Sequence, residues 1–431
     1  MNCDGLRADI DKLKQELQAL ETNVEKIREA EEYDEELRDA ARIVSSNSSD
    51  SVLEKYLEDF KEQNPEIFPH VITLGERIDI MDADGYMAQI RSIVATDDGR
   101  VLIGGDYGVF YAGSYNGRGE LELGERIDIK NASGEPASIN SIAVTKDEHV
   151  LIVGDDGVLY AGSYNELDKL ELGERINYFG SSAHIVSVAA ANNGHVLIGR
   201  AGGVLHDAFY DGRLEFGEQM DIQDVDGNRA SVNTVAIARN GHVLVGGSYG
   251  ALYDGFYNDQ EKLELGERIE IKDADGEPAD IYSIAVTKDG HVLVGGDRGT
   301  LYSGSYDDQG KLRLGNRIDI LDASGDSAHI NSIITTKGGR VLIGGDDGLL
   351  CVGTYTKRGE LVLGERIDIK DAVKDPAYVK SIAATGDGRI LIGGLDSAFF
   401  VGSFDDSFEM LKQGLPEIIE KASLASSGGS V

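Results

Sequence analysis

Three patterns in this 431-residue sequence have spacings that chemistry can use. Gly246, Ser248 and Gly250 form GxSxG, which in hydrolases holds a serine nucleophile on a sharp strand-to-helix turn. Asp82 and Asp84, Asp224 and Asp226, and Asp273 and Asp275 stand in DxDG loops, spaced like the first ligands of a calcium loop. Four of the eight histidines, His149, His195, His242 and His291, share one position of a repeat, where Arg100, Arg340 and Arg389 stand elsewhere. Imidazoles hold a metal when several converge on it.

Each pattern loses its chemistry beside its neighbours. Ser248 replaces the aspartate of a recurring GGDxG turn, and a strand follows it where a nucleophile elbow needs a helix. The DxDG loops lack the later carboxylate of a calcium loop and become NASG, DASG and DAVK in sister units. An Asx turn, in which the side chain binds the backbone of its own loop, is the expected role. The histidines recur once per unit, too far apart to share a metal. Cys3 and Cys351 are too few for a disulfide framework or a cysteine metal site. The expectation is a non-enzyme, with no catalytic residues, no cofactor and no metal.

What recurs is the unit itself. The motif LGERIDI and its variants place a glycine at Gly75, Gly124, Gly173, Gly217, Gly266, Gly315 and Gly364, with spacings of 49, 49, 44, 49, 49 and 49 residues, so there are seven copies. Each unit reads as four short strands. INSIAVT and LELGERIDI alternate, HVLVGGD is a nearly continuous apolar run, and GTLYSGSY is rich in aromatics. KDG, GGDxG and DADGEP between them are turn chemistry.

The predicted fold is all-β: a seven-bladed β-propeller of four-stranded antiparallel blades, with an N-terminal α-helical coiled-coil extension. The first copy begins with an outer strand near residues 70–80, and the last ends with a third strand near 399–404. The N-terminal strand is therefore expected to complete the last blade and close the ring, hiding a sheet edge. The unit resembles WD-type propeller repeats in size and closure. It resembles the tachylectin type of lectin blade in its order of strand, DG turn, strand and LY strand. The resemblance covers roughly residues 68–404 and implies architecture without function. There is no tryptophan, hence no WD dipeptide and only a thin platform for sugar stacking.

The expected organisation is a coiled-coil helix over 1–44, a linker and short helix over 45–67, the propeller over 68–405, and a helical segment with a disordered tail over 406–431. Residues 4–30 carry a heptad, with Leu6, Leu13, Leu20 and Ile27 at d and Ile10, Leu17 and Val24 at a. β-Branched residues at two of the three a sites with leucine at most d sites favour a parallel homodimer. Packing of this helix on the ring is the alternative.

Charge bounds the partners. Asp and Glu number 77 against 41 Lys and Arg, a net of −36. That balance excludes nucleic acid and anionic membrane as principal partners and admits a basic protein. No apolar run is long enough to span a membrane, and the N-terminus is charged from residue 4, so a cytoplasmic location is expected. In an antiparallel blade the GGDxG and DADG loops share one face. Asp106, Asp155, Asp297 and Asp346 are thus expected to join Asp84, Asp226 and Asp275 in an acidic partner-binding surface. Display of surplus charge on turns is the other reading. Unit three departs from its sisters: its leading loop shortens to YFGSS, Arg200 and Ala201 replace glycine and aspartate, and His206 stands where Tyr160, Tyr253 and Tyr302 occur. This marks a docking notch or sequence drift. The leading expectation is a protein-interaction scaffold. The alternative is a lectin-like propeller with repeated sites at Tyr115, Tyr164, Tyr257 and Tyr306.

Overall fold

The structure, a computed structural model, describes residues 71–405 except 239, 357–358, 372–373 and 396–397. The heptad of residues 4–30, the linker of 45–67 and the segment 406–431 lie outside the described residues. The larger of two compact units, Thr73–Gly353 with Glu365–Phe404, is built of β-strands; of the smaller unit, only 71–72, most of 354–364 and residue 405 are described.

Seven antiparallel sheets form the blades of the propeller. In blade 4 the strands, from the inner one outward, are Val232–Ile237, His242–Gly247, Ala251–Tyr257 and Leu263–Glu270. Blade 1 has a broken outer strand, Leu121–Leu123 followed by Ile127–Asp128. The last blade pairs Val379–Ala384, Arg389–Gly394 and Ala398–Asp405 with Val71–Asp79, so the first strand of the ring completes the last sheet.

The second strand of each blade is apolar through its middle because blades stack on both its faces. His242–Gly247 is buried at every position after the first. Its Gly246 is glycine for a packing reason: a Cβ there would stand 2.6 Å from Ile281 Cγ2 and 2.7 Å from Thr234 Cγ2. The core accordingly lies between blades, as where Leu244 and Leu252 of blade 4 meet Ile281, Ile284, Val292 and Val294 of blade 5.

Polar links repeat at the same junctions. An inner-strand serine accepts a backbone N–H from the next blade: Ile142 N–H donates to Ser92 Oγ at 3.1 Å, Val235 N–H to Ser187 Oγ at 3.0 Å and Ile382 N–H to Ser332 Oγ at 3.1 Å. The same bond crosses the closure, from Ile93 N–H to Ser381 Oγ at 2.9 Å. The shared histidine and arginine position makes a second link. In several blades this side chain packs against the aromatic ending the third strand of the next blade, with Arg100 4.1 Å from Tyr164, His195 3.8 Å from Tyr257, His242 4.0 Å from Tyr306 and Arg389 4.2 Å from Tyr115.

Candidate functional site

The loops joining second to third strands, and those joining an outer strand to the next blade, meet at one end of the ring. The DxDG loops are Asx turns. Asp82 Oδ1 accepts from the Asp84 and Tyr86 amides at 2.9 and 2.8 Å, and Asp273 Oδ1 from the Asp275 and Glu277 amides at 2.9 and 3.0 Å. The first aspartate is thus spent on its own backbone. The second, Asp84, Asp226 or Asp275, is exposed. In four blades a tyrosine of the third strand pins the loop from beneath, as Tyr160 donates to Lys130 O at 2.8 Å and Tyr253 to Gln223 O at 2.9 Å.

A bulge at the second residue of each inner strand, such as that between Ile90 and Ser92, re-aims that residue toward the GGDxG turn. Arg91 pairs with Asp106 and also donates to Asn140 Oδ1 at 2.8 Å. Asn140 donates onward to Asp155 Oδ1 at 2.8 Å, and His184 Nδ1 lies 3.2 Å from the same oxygen. Asn331 donates to Asp346 Oδ1 at 2.7 Å, with Lys380 Nζ 3.5 Å from it. Three of the four turn aspartates are therefore held by neighbours.

Asp297 is held less completely. Its Oδ1 is buried with no hydrogen-bond partner, and burial, then the charge of Asp280, raises its pKa against the opposing effects of Arg298, His329 and a backbone bond from Asp280. The inner-strand residue beside it is Tyr282, whose hydroxyl is pushed up to about 12 by burial and by Asp280, Asp297 and Asp346. Arg298 on the same turn is taken by Asp273. Burial opposes ionisation of Asp273, but that bond and two backbone amides outweigh it and hold the carboxyl below its usual range. Ala201, Ser248 and Leu395 occupy the turn position in the other blades and leave gaps in the acidic set.

The aromatics of this face carry a signal that the sequence reading missed. Among the described residues the exposed tyrosines are Tyr86, Tyr107, Tyr178, Tyr249 and Tyr378, and all five stand on these loops or at their ends. Tyr107 and Tyr249 sit at turn tips with φ of 54° and 57°, a left-handed conformation uncommon for a bulky side chain. The available signal was substitution within the repeat: sister blades carry Asp156, Arg298 and Asp347 at this place.

Blade 3 is organised around its short loop. His206 replaces the pinning tyrosine and is 3% exposed, packed 5.0 Å from Phe179 and 6.5 Å from Phe216. Burial and then Arg200 lower its pKa to about 4. The Arg200 guanidinium lies 5.4 Å from the Phe179 ring centre. Neither residue offers a partner much surface; Tyr178, stacked on Phe216 at 3.5 Å and 49% exposed, does.

The tyrosines expected of repeated lectin sites, Tyr115, Tyr164, Tyr257 and Tyr306, form the blade clasps described above. Tyr257 and Tyr306 also donate to Asp207 and Asp254 at 2.8 and 3.1 Å. Ser248 lies between two strands and accepts from Asn233 at 3.4 Å.

No protein-family model matches the chain, and no curated protein matches it. Among solved structures, a chain from a crystal structure of the mitotic checkpoint complex is similar, with a TM-score of 0.57 and 13% identity, covering 76% of this chain and 93% of that one. At that identity the likeness is one of fold: the propeller is shared, and function is not thereby assigned.

Proposed function

We propose that the protein is a non-enzymatic interaction scaffold, whose rigid propeller offers the loop face carrying Asp84, Asp226, Asp275 and Asp297 to a basic protein partner. The observation that carries this reading is the gathering of the five exposed tyrosines on that acidic face. Tyrosine is a frequent anchor of protein interfaces, combining a large apolar ring with a polar tip. Asp106, Asp155 and Asp346 are held in the turns of the same face, while His206 packs 5.9 Å from Tyr178 and Arg200 lies over the neighbouring Phe179. The heptad of residues 4–30 supports a homodimer. Light scattering checks that part, with the full chain at twice the mass of the Leu13→Lys, Leu17→Lys variant.

The test of the interface is affinity capture with the full chain and with a Tyr107→Asp, Tyr249→Asp variant. Aspartate already occupies the same left-handed position at Asp156 and Asp347, so the turns tolerate it. A partner retained by the parent at low salt and lost by the variant supports the reading; equal retention by both rejects it.

A further inference from the structure

Blades 3 and 4 depart from their sisters together at the opposite end of the ring. At the turn between the first two strands, Asp98, Asp147, Asp289 and Asp387 of four blades (Gly338 in blade 6) become Asn193 and Asn240. Near the end of the third strand, Ser114, Ser163, Ser305 and Ser403 of four blades (Thr354 in blade 6) become Phe209 and Phe256. Two residues earlier, alanine or serine in blades 1, 2 and 5 becomes Asp207 and Asp254. Three linked changes in two adjacent repeats are hard to ascribe to drift at single positions.

Their result is a groove of about 550 Å³ lined by Asn193, Asn240, His242, Phe256, Tyr257 and Gln309, with Gly241 and Gly310. Phe256 is 50% exposed there. The two new carboxylates do not line the groove. Asp207 accepts from Tyr257 at 2.8 Å with His195 Nδ1 3.5 Å away, and Asp254 accepts from Tyr306 at 3.1 Å with His242 Nδ1 at 3.0 Å. Each set braces an aromatic or imidazole of the groove wall. Among the described residues, no lining residue is a carboxylate, lysine or arginine, in a chain whose net charge is −36. The Asn193 and Asn240 Oδ1 atoms accept from the His195 and His242 amides at 3.4 and 3.3 Å. Their Nδ2 groups and the Gln309 carboxamide have no protein partner among the described residues, which leaves donors and an acceptor for a ligand.

A groove whose described lining carries no carboxylate, lysine or arginine, and has one open aromatic ring and three carboxamides, suits a neutral ligand that has an apolar face and a hydroxylated rim. Its volume lies within the range of about 300–1,000 Å³ usual for small-ligand sites. We propose that this groove binds a neutral sugar, a hexose, an N-acetylhexosamine or a short oligosaccharide of them. The C–H face of the ring stacks on Phe256, and hydroxyls bond to Asn193, Asn240 and Gln309. This is a single site made by blades 3 to 5, on the face away from the proposed protein interface, and its success or failure is independent of that interface.

Saturation-transfer NMR on the full chain tests it, with methyl glycosides of glucose, galactose, mannose and N-acetylglucosamine as probes at millimolar concentration. Transfer to at least one glycoside is expected. It should weaken about tenfold or more in Phe256→Ser, on the scale of losing one aromatic contact. Asn240→Ala should weaken it as well, and Tyr107→Asp on the far face should leave it unchanged. Ser305 holds the equivalent place in blade 5, so the serine variant is expected to fold, and its melting temperature verifies this. Silence from every glycoside, or transfer indifferent to Phe256→Ser, overturns the proposal. So does a short neutral peptide that gives the Phe256-dependent signal where the sugars give none.

Discussion

A carboxylate oxygen buried without a hydrogen-bond partner, as Asp297 Oδ1 is, destabilises the fold that holds it. If a partner's lysine or arginine completes its bonding, Asp297→Asn should act in opposite directions on stability and binding. The free protein should gain roughly 1 kcal/mol, because an amide is less penalised by burial and by nearby Asp280. Affinity for the partner should fall. Chemical denaturation paired with a binding isotherm measures both, and a variant that binds as tightly as the parent would show that Asp297 is not part of the interface. His206 gives a second test at this scale. Its imidazole titrates near 6.5 when unfolded and near 4 when folded. Between those values the unfolded chain holds a proton that the folded chain refuses, so this contribution to stability is intact above the upper value and declines as pH falls. His206→Phe removes it. The variant's melting temperature should therefore rise relative to the parent's on going from about pH 7 to about pH 5. A constant difference across that range would mean that His206 takes up its proton inside the fold.

Among the elements, Val71–Asp79 has the largest consequence, because it covers the edge of Ala398–Asp405 in the last blade. Deletion of residues 1–64 leaves this strand in place and should leave the ring's melting transition unchanged. Deletion through Ile80 also removes the buried side chains of Ile72 and Ile80, worth roughly 3–6 kcal/mol together. It should lower the transition sharply and expose a pairing edge. Equal melting of the two truncations would refute the closure. This closure was legible in the sequence because it follows from counting strands, and the blades were legible because their signals are local: alternation, apolar runs and glycine turns. The DxDG loops were legible as Asx turns for the same reason, since the aspartate binds amides two and four residues ahead. The bonding of the acidic face was not. Arg91 meets Asn140 and Lys380 meets Asn331 one repeat apart, across a blade junction whose register no local pattern specifies. His206 was visible as a departure, but its burial depends on where the shortened loop places Phe179. The tyrosines of the face were hidden because they occupy positions that vary between repeats.

Over the whole molecule, the net charge of −36 acts at a distance while the tyrosines act only on contact. The two terms should separate in the kinetics of binding. At about 0.15 M ionic strength the Debye length is roughly 8 Å, so loop carboxylates gathered at one end of the ring still sum their fields on an approaching basic partner, and those scattered elsewhere contribute little. Added salt should thus slow association and barely change dissociation. Burial of tyrosine rings is largely indifferent to salt and is made only after docking, so the Tyr107→Asp, Tyr249→Asp variant should dissociate faster. Its two added carboxylates should preserve or raise its association rate at low salt. The expected pattern is a steep salt dependence of the on-rate shared by parent and variant, with a separate increase of the off-rate in the variant alone. Surface plasmon resonance with the captured partner reads both rates. An on-rate insensitive to salt would reduce the acidic loops to solvated surface, and an off-rate unmoved by the tyrosine changes would place the contact on another part of the ring.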